Sequence, residues 1–573
     1  MTIETTTDHA ALDEIVDGLG AHAGEWVALP FAEKLELLDR LRPRVMAEAD
    51  AMVAETQRAK GIDPSTTWAA EDWVTGPWAF LQGITSMLTA LRRVQKGEEP
   101  ISTSKMRTRP GGQTVVSVFP ATATDSLLLS GYGAEVWMQP GVSPQDAVRG
   151  AASMYRGKGY ADPGVALVLG AGNVGTITTL DILHMLYTEG SVCVVKMNPV
   201  NDYLSPYYAR IFGEFVERGW LRFVHGGADV GGYLAQHDGV HSIHMTGSKA
   251  THDAIVWGTG PEAEERRSAG TPLLTKRMTS ELGGVSPLIV VAGEWKHHDL
   301  QFQAEHIVTT KLNNAGHNCI ATQVLVLPES WPQADELLER VRKVLRSLPP
   351  RPQYYPRAVD KVAAAVAGHD SVEHLGRGDL CALVPDLSAD GVESLVNDEV
   401  FAGAMGVVRL PGATTAEYLA NAVAFANDKL PGTLGASIVI DPVTAKRDKA
   451  ALDTAIADLR YGGIGINAWS GLNFLLGYTP WGAFPGHSLA DIGSGIGFVH
   501  NAFLLQDVQK GVSWMPFRPL HRAAINGQFH MSPKSPFFVG NRTGATTARR
   551  LASYLASGKN TALVGIFASA LRG

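Results

Sequence analysis

Cysteine, charge and long apolar runs are all scarce in this 573-residue sequence. The three cysteines, Cys193, Cys319 and Cys381, are odd in number and far apart, which excludes a disulfide framework and a cysteine-rich zinc or iron–sulfur site. No apolar run reaches the length of about 18 residues that a membrane span needs. Residues 1–20 have neither the basic nor the apolar region of a signal peptide. We therefore expect a cytoplasmic protein.

Charge of either sign is also limited. Charged residues are 18 % of the chain, below the roughly 25 % typical of soluble domains. The 49 basic and 57 acidic residues leave a net charge of −8. This mildly acidic balance gives no electrostatic reason to expect nucleic acid or an anionic membrane as a partner. The length, with 45 % hydrophobic residues, suffices for a large core and about two to four domains.

Strand-like and helix-like segments alternate from residue 161 to about 345. Amphipathic helical patterns precede them between 31 and 95, and short strand patterns with Pro and Gly punctuation begin near 111. The polar stretch 258–277 interrupts the alternation and reads as a surface insertion. Alternation at this spacing indicates βαβ units and a parallel sheet, so we predict an α/β fold.

The segment GAGNVG at 170–175 fits the dinucleotide-binding pattern G-x-G-x-x-G after a strand. An ordinary Rossmann site also needs an acid at the end of the next strand, and that strand ends in Lys196-Met197-Asn198. The pattern is therefore incomplete. A tight strand-to-helix turn without phosphate is the favoured interpretation, and the ordinary Rossmann site stays an alternative.

Cys319 differs from the other two cysteines in its surroundings. Cys193 and Cys381 lie in apolar strand-like segments typical of buried structural thiols, whereas Cys319 lies in the small, polar stretch LNNAGHNC. This stretch predicts a thiol on a loop or at a helix start, and a helix N-terminus there would lower the thiol pKa and favour a nucleophilic thiolate. Glu281, followed by Leu-Gly-Gly at the start of a strand, is a candidate acid or base, since glycines allow a ligand to approach the backbone.

Together these segments resemble the aldehyde dehydrogenase superfamily, in order from about residue 30 to about 510. The matching motifs are ELGG at 281–284, NAGHNC at 314–319, VVKMNP around Lys196, MTGS at 245–248, EVF at 399–401, and the GIGINAW and TPWGAFPG segments. Six matches in the right order are more specific than any one of them. The resemblance implies a Rossmann-like dinucleotide domain, an α/β catalytic domain and a small β oligomerisation element.

The resemblance also implies roles for individual residues. Cys319 would be the nucleophile, Glu281 the base that activates water, and Asn173 the side chain that stabilises the oxyanion. NAD or NADP would be bound by Lys196, Gly247, Ser248, Leu282, Glu399 and Phe401. A metal site is not expected, because the histidines at 241, 244, 297 and 298 lack a third ligand at fitting spacing.

Five positions depart from the family pattern. Ala171-Gly172 replaces Pro-Trp before Asn173, which suggests a more open substrate passage. Pro199 replaces the acid that usually binds the adenine ribose, so NADP is expected to be accepted as well as NAD. His317 replaces a glutamine; as an imidazolium it would lower the Cys319 pKa, and otherwise it only packs near the loop. His252 replaces a glycine.

The implied domains are discontinuous in sequence. Residues 1–110 and 150–282 would form the dinucleotide-binding domain, 283–490 the catalytic domain, and 111–149 with 491–512 the oligomerisation element. Family members with this element form dimers or tetramers, so we expect a homodimer or homotetramer. Residues 513–573 have no recognised counterpart, and their position suggests that they extend the interface.

The resemblance implies oxidation of an aldehyde to a carboxylic acid through a cysteine thiohemiacetal and thioester, but two alternatives remain open. One is a CoA-linked enzyme, either an acylating aldehyde dehydrogenase or an acyl-CoA reductase. The other is a non-catalytic family member that acts in assembly. The sequence does not identify the aldehyde, because pocket residues carry little motif signature.

Overall fold

The computed structural model describes residues 8–390, 393–519 and 532–573. The predicted α/β class is confirmed, since two large sheets are surrounded by helices. Cys193 and Cys381 lie in buried strands, as expected of structural thiols. The polar stretch 258–277 contains the helix Pro261–Ala269, which has no buried residue. Among the described residues, no helix combines the length and apolarity needed to cross a membrane.

The strands are numbered in chain order. They are β1 Met106–Thr108, β2 Thr114–Phe119, β3 Gly133–Met138, β4 Val165–Leu169, β5 Val192–Lys196, β6 Leu221–Val224, β7 Ser242–Gly247, β8 Arg277–Leu282, β9 Ser286–Val290, β10 Thr322–Pro328, β11 Glu373–Leu375, β12 Cys381–Leu387, β13 Ala404–Leu410, β14 Gly435–Val439, β15 Gly463–Ile466, β16 Trp481–Gly482, β17 Gly495–Ile496, β18 Phe498–Val499 and β19 Val508–Trp514.

The α-helices are His9–Ala28, Phe31–Lys60, Ala69–Trp73, Ala79–Gln95, Ala123–Leu128, Pro144–Gly150, Gly175–Tyr187, Ser205–Ile211, Gly213–Glu217, Ala228–Gln236, Lys249–Trp257, Pro261–Ala269, His297–Leu312, Ala334–Ser347, Ala358–Ala365, Ser394–Asn397, Thr415–Asp428, Pro442–Arg447, Lys449–Asp458, Leu472–Leu476, Gly544–Ser557 and Ala562–Ala570. Four 3₁₀ turns, Thr103–Lys105, Ser153–Tyr155, Asp202–Leu204 and Asn313–Gly316, and one π turn, Val74–Trp78, complete the helical elements of the described residues.

The first sheet has the order β17-β8-β7-β4-β5-β6, and its strands β4 to β8 are parallel. The apolar runs VALVL and VCVV form its centre, because a parallel sheet is covered by helices on both faces. Lys196, Gly247 and Leu282 end β5, β7 and β8 at the same edge. Ligands of open α/β sheets bind at this carboxyl edge, so the fold brings three of the predicted cofactor residues together.

The second sheet has eleven strands in the order β1-β2-β3-β19-β15-β14-β9-β10-β13-β12-β11. The strands that we expect to form the oligomerisation element, β2 and β3, pair antiparallel, and β3 pairs with β19. Strand β19 in turn lies parallel to β15, so these strands continue the sheet that also contains β9 and β10. Part of the same predicted element, β17, instead pairs with β8 of the first sheet. The domain boundaries and the role in oligomerisation stay predictions.

The described part of the C-terminal extension packs against its own chain. Phe538 is buried and stacks on Phe302 and His306, with ring centroids 5.1 and 5.6 Å away. The backbone N–H of Val539 donates to the Thr309 hydroxyl at 3.1 Å. The helix Gly544–Ser557 packs against the helices of the N-terminal region. Residues 520–531 of the predicted extension lie outside the described residues, and its contribution to an interface stays a hypothesis.

Candidate active site

Cys319 lies in a turn between the 3₁₀ turn Asn313–Gly316 and strand β10. Asn314, Ala315 and Gly316 all have left-handed backbone angles, with φ of 56°, 58° and 81°. This conformation costs an alanine about 1–2 kcal/mol, while asparagine and glycine tolerate it. A side chain at Gly316 would also approach the Ala402 carbonyl to 2.6 Å, so glycine is required there. The turn that presents the thiol is therefore strained and must be held by its surroundings.

Glu281 lies near the end of β8 and faces the thiol. The residue is 3 % exposed, and burial raises the pKa of its carboxyl to about 7, although the Cys319 thiol and Trp481 lie close enough to the carboxyl to act in the lowering direction. Within the described residues the Glu281 Oε1 is buried without a hydrogen-bond partner, and the Cys319 thiol donates to the Asn318 side-chain oxygen at 3.7 Å. A carboxyl with a pKa near neutrality can both accept and return a proton at physiological pH, which suits a general base.

A second carboxyl, that of Glu399, adjoins the same site. Burial, with the nearby Glu281 carboxylate, raises the Glu399 pKa to about 8, and Lys361 opposes this shift. A Cβ at Gly283 would overlap the Glu399 carboxylate, and one at Gly284 would lie 2.9 Å from Gly432 and from the Pro431 carbonyl. The two glycines after Glu281 are thus needed because Glu399 and another loop pack directly on them.

Of the two predicted settings for Cys319, a loop or a helix start, the structure shows the loop, so its thiol does not lie at a helix N-terminus that would lower its pKa. Cys319 follows a 3₁₀ turn and precedes a strand, and burial together with the Glu281 and Glu399 carboxylates raises its pKa well above the usual value. The thiol is therefore protonated at neutral pH in this state. Ionising Cys319 requires an acceptor for its proton, and Glu281 is within reach.

His317 does not act as a cation in this structure. Its ring is fully buried, and burial lowers its pKa to about 4. The neutral ring donates from Nδ1 to the Phe401 carbonyl at 2.7 Å and packs against Tyr354 and Tyr355. Of the two interpretations of His317, the structure agrees with packing near the loop and not with an imidazolium that lowers the Cys319 pKa. The ring connects the turn to the segment that carries Phe401.

Asn173 is buried beside the same turn. Its side-chain amide donates to the His317 carbonyl at 3.1 Å, two residues before Cys319. Its own carbonyl accepts hydrogen bonds from Asn314 at 3.0 Å and from the Tyr354 hydroxyl at 3.2 Å. A primary amide has two N–H groups, so Nδ2 can also donate to a ligand oxygen. The predicted oxyanion donor thus lies next to the predicted nucleophile.

The glycines around Asn173 face protein rather than an open cradle. A Cβ at Gly170 would lie 2.7 Å from the Thr178 hydroxyl, and one at Gly172 would lie 2.6 Å from Asn198. Asn201 also donates to the Ala171 carbonyl at 2.8 Å. These contacts explain the glycines by close packing and favour the interpretation without a phosphate. They also leave Ala171-Gly172 covered, which argues against the more open passage that we expected there.

Four of the predicted cofactor residues, Lys196, Gly247, Ser248 and Leu282, lie at the carboxyl edge of the first sheet, and Glu399 and Phe401 precede β13 of the second sheet. Gly247 and Ser248 are exposed, and Ser248 caps the helix Lys249–Trp257, whose N-terminal N–H groups suit a phosphate. Lys196 is half-buried, and burial lowers its pKa, while Asp229 and Asp202 act in the opposite direction. Phe401 has a φ of 53° and contacts the Tyr355 ring. These positions fit a dinucleotide along the edge.

Several residues of this region escaped sequence reasoning. Asp181 is buried and lies 3.4 Å from His244 and 3.3 Å from His500, and its charge contributes to the raised Glu281 pKa. Trp481 belongs to the quoted TPWGAFPG segment, so its motif could have suggested a place beside Glu281. Asp181 has no such signal, since only folding brings its helix under β7. In the described ranges, no cluster of three or more His, Cys, Asp or Glu residues could hold a metal ion.

Comparison with known proteins supports the resemblance. Residues 162–379 match the sequence model of the aldehyde dehydrogenase family. This stretch contains Asn173, Lys196, Ser248, Glu281 and Cys319, and ends before Glu399 and Phe401.

Curated relatives match the chain over part of their length. D-glyceraldehyde dehydrogenase (NADP(+)) of Thermoplasma acidophilum is 31 % identical over 142 residues, which are 24 % of this chain and 26 % of that protein. The 1-pyrroline-5-carboxylate dehydrogenase of Bacillus cytotoxicus is 25 % identical over 356 residues, which are 58 % of this chain and 63 % of that protein. The chain therefore aligns with about a quarter of the first relative and less than two thirds of the second.

Solved structures extend the similarity to almost the whole chain. Aldehyde dehydrogenase C of Pseudomonas syringae, a mutant in complex with NAD+ and octanal, has a TM-score of 0.57 at 15 % identity and covers 89 % of this chain and 90 % of its own. The NADP-dependent glyceraldehyde-3-phosphate dehydrogenase of Bacillus halodurans has a TM-score of 0.57 at 15 % identity, with 88 % and 91 % covered. At these identities the comparison shows a shared fold.

Proposed function

We propose that this chain is a member of the aldehyde dehydrogenase superfamily and that it oxidises an aldehyde to a carboxylic acid with NAD or NADP. The match of residues 162–379 to the family's sequence model and the fold shared with solved aldehyde dehydrogenases support this proposal. The observation that carries the proposal is that side chains from three distant segments converge on the strained turn. The Glu281 carboxyl interacts with the Cys319 thiol, and the Asn173 amide donates to the His317 carbonyl of the same turn. A thiol, a carboxyl of neutral pKa and an amide donor are the groups that acyl chemistry through a thioester needs.

The first step is attack of the Cys319 sulfur on the aldehyde carbonyl carbon. The thiol is protonated, and the Glu281 carboxylate within its reach takes the proton as the C–S bond forms. The carbonyl oxygen becomes an oxyanion, to which the Asn173 amide donates. Removing one such donor typically raises the barrier by about 2.7–4 kcal/mol.

NAD or NADP, when bound, supplies the acceptor for the hydride that leaves the thiohemiacetal carbon. In this chain Lys196 and Ser248 would hold the adenosine and pyrophosphate side, Gly247 and Leu282 would border it, and Glu399 and Phe401 would orient the nicotinamide ribose. The resulting thioester remains on Cys319. Glu281 first releases to solvent the proton that it took from Cys319. It then takes a proton from water as the water oxygen bonds to the thioester carbon, and the C–S bond breaks. The carboxylic acid leaves, and the Cys319 thiolate takes the proton back from Glu281.

The direct test is a panel of aldehydes with NAD or NADP, each with and without CoA. We expect reduced cofactor to form without CoA in the wild type and not in Cys319→Ala. Strict dependence on CoA would show that the acyl group is transferred to CoA and not to water, and the chain would then belong to the CoA-linked alternative. Absence of turnover, with Cys319 alkylated no faster than Cys193 and Cys381, would favour the non-catalytic alternative.

We also propose a cytoplasmic homodimer or homotetramer. The strands β2 and β3, continuous with β19, are the expected interface element. Light scattering of the full chain measures the mass directly, and a monomeric mass at working concentration would contradict this proposal.

A further inference from the structure

A buried polar cluster from the N-terminal helices reaches the active-site turn. Lys60, the last residue of the helix Phe31–Lys60, is 5 % exposed. Its ammonium donates to the Asp72 carboxylate at 2.6 Å and to the Asn314 side-chain oxygen at 2.9 Å. The neighbouring Glu71 accepts the backbone N–H of Asn314 at 3.1 Å and pairs with the buried Arg351. Two adjacent acids thus hold the same residue of the turn, one directly and one through a lysine.

Asn314 also bonds to the two segments that carry Asn173 and Cys319. Its side-chain amide donates to the Asn173 carbonyl at 3.0 Å and to the His317 carbonyl at 2.9 Å. The His317 carbonyl also accepts the Asn173 amide. One buried asparagine, 2 % exposed and left-handed in backbone, therefore ties the segment of the oxyanion donor to the segment of the nucleophile.

Buried ion pairs add little to the free energy of folding, because desolvation of the two charges offsets much of their attraction. Apolar packing between helices would hold the N-terminal region equally well. A charged cluster is better suited to fixing geometry, since its hydrogen bonds are directional and it admits one arrangement of its partners. The strained turn Asn314–Gly316 is where such a constraint is needed.

We propose that Lys60, Asp72 and Glu71 are positioning residues that hold Asn314, and through it align Asn173 with the turn of Cys319. The catalytic part of this inference rests on the proposed function. Lys60 touches neither Cys319 nor Glu281 in the recorded contacts and acts through Asn314. Displacing a reacting group by about 1 Å can cost about 100-fold in rate, so the expected effect is on kcat.

The test uses three variants of the full chain. Lys60→Met with Asp72→Leu removes both charges of one pair, because loss of a single partner is the change most liable to prevent folding. Asn314→Asp still accepts from Lys60 but loses both side-chain donors. Lys34→Met is the matched control: Lys34 lies on the same helix, is 2 % exposed, and contacts the Val27 carbonyl and the Tyr160 hydroxyl instead of the turn.

We expect the double variant and Asn314→Asp to lower kcat by about 10- to 100-fold, with KM for the cofactor within about twofold. Hydrogen exchange of residues 313–321 should accelerate in both and stay unchanged in Lys34→Met. The proposal is overturned if Lys34→Met lowers kcat equally, or if exchange and kcat are retained in the double variant and in Asn314→Asp. A wild type that oxidises no aldehyde would refute the proposed function alone, and the exchange rates would then decide the positioning role.

Discussion

The side-chain amide of Asn173 donates to the backbone carbonyl of His317 at 3.1 Å, two residues before Cys319. This bond fixes the amide nitrogen beside the nucleophile turn, with a second N–H for a substrate oxygen. Oxyanion stabilisation works best when the donor is in place before charge develops. Because this hydrogen bond holds the amide in place, we expect that replacing Asn173 slows the attack of Cys319 on the aldehyde.

Asn173→Ala should lower kcat by about 10²- to 10³-fold, because one oxyanion donor is lost. The KM for the cofactor should change little, since the hydrogen bonds of Asn173 are to His317, Asn314 and Tyr354 and not to a predicted cofactor residue. Steady-state kinetics measure both. Asn541→Ala is a control, as Asn541 is also buried but donates to Lys534 and Ser535 in the C-terminal segment. Equal loss of kcat in the two variants would contradict an oxyanion role.

Glu281→Gln should separate the two roles of the carboxyl, which are to accept the Cys319 proton and to activate water. Without a base for water, thioester hydrolysis slows, so a single burst of reduced cofactor followed by slow turnover is expected in stopped-flow absorbance. Removing the nearby negative charge should also lower the Cys319 pKa, so alkylation by iodoacetamide at pH 8 should be faster than in the wild type. Slower alkylation without a burst would show that Glu281 is needed to take the Cys319 proton, and an unchanged alkylation rate without a burst would show that it acts on neither step.

The pH dependence of stability gives a test that needs no substrate. Burial raises the pKa of Glu281 to about 7 from its ordinary value of 4.5. Between these two values the folded state holds a proton that the unfolded state releases. The contribution of the protonated carboxyl to the free energy of unfolding is therefore fully present below pH 4.5 and is lost as the pH rises through 7. Glu281→Gln should remove the penalty, so its free energy of unfolding should exceed that of the wild type by up to about 3 kcal/mol at pH 8, and by little at pH 4. Urea denaturation at the two pH values measures this, and an equal difference at both would contradict it.

Sequence reasoning reached those parts of the site that are set by short motifs. Glu281 and Lys196 end parallel strands, and the carboxyl ends of such strands meet wherever the sheet forms. The Lys60–Asn314 contact joins residues 254 positions apart and depends on how the N-terminal helices dock, which no local pattern records. The Cys319 pKa is raised, whereas a helix start would have lowered it, and the reason is similar. Its surroundings are two carboxyls from other segments and not the helix start that its own neighbours suggested.

The choice between NAD and NADP should depend on Asp229. Pro199, which replaces the ribose-binding acid, suggests by itself that NADP is accepted, but Asp229 supplies another carboxylate nearby. Asp229 begins the helix Ala228–Gln236, and its charge acts on Lys196 at the edge where the adenosine would lie. A carboxylate there repels a 2′-phosphate, so Asp229→Asn should shift the ratio of kcat/KM toward NADP by about 10-fold. Asp238→Asn, beyond the other end of the same helix, is the control. An unchanged ratio in Asp229→Asn would place the selectivity elsewhere.

The C-terminal segment should contribute to the stability of its own subunit. Phe538 is 1 % exposed and stacks on Phe302 and His306 of the helix His297–Leu312, which leads into the turn of Cys319. Phe538→Ala leaves a cavity and loses this stacking, so the free energy of unfolding should fall by about 3–5 kcal/mol in urea denaturation. Val564→Ala, 77 % exposed in the same segment, should change it by less than about 0.5 kcal/mol. If Phe538→Ala instead halves the mass in solution at unchanged stability, the segment serves the interface that its position in the sequence suggests.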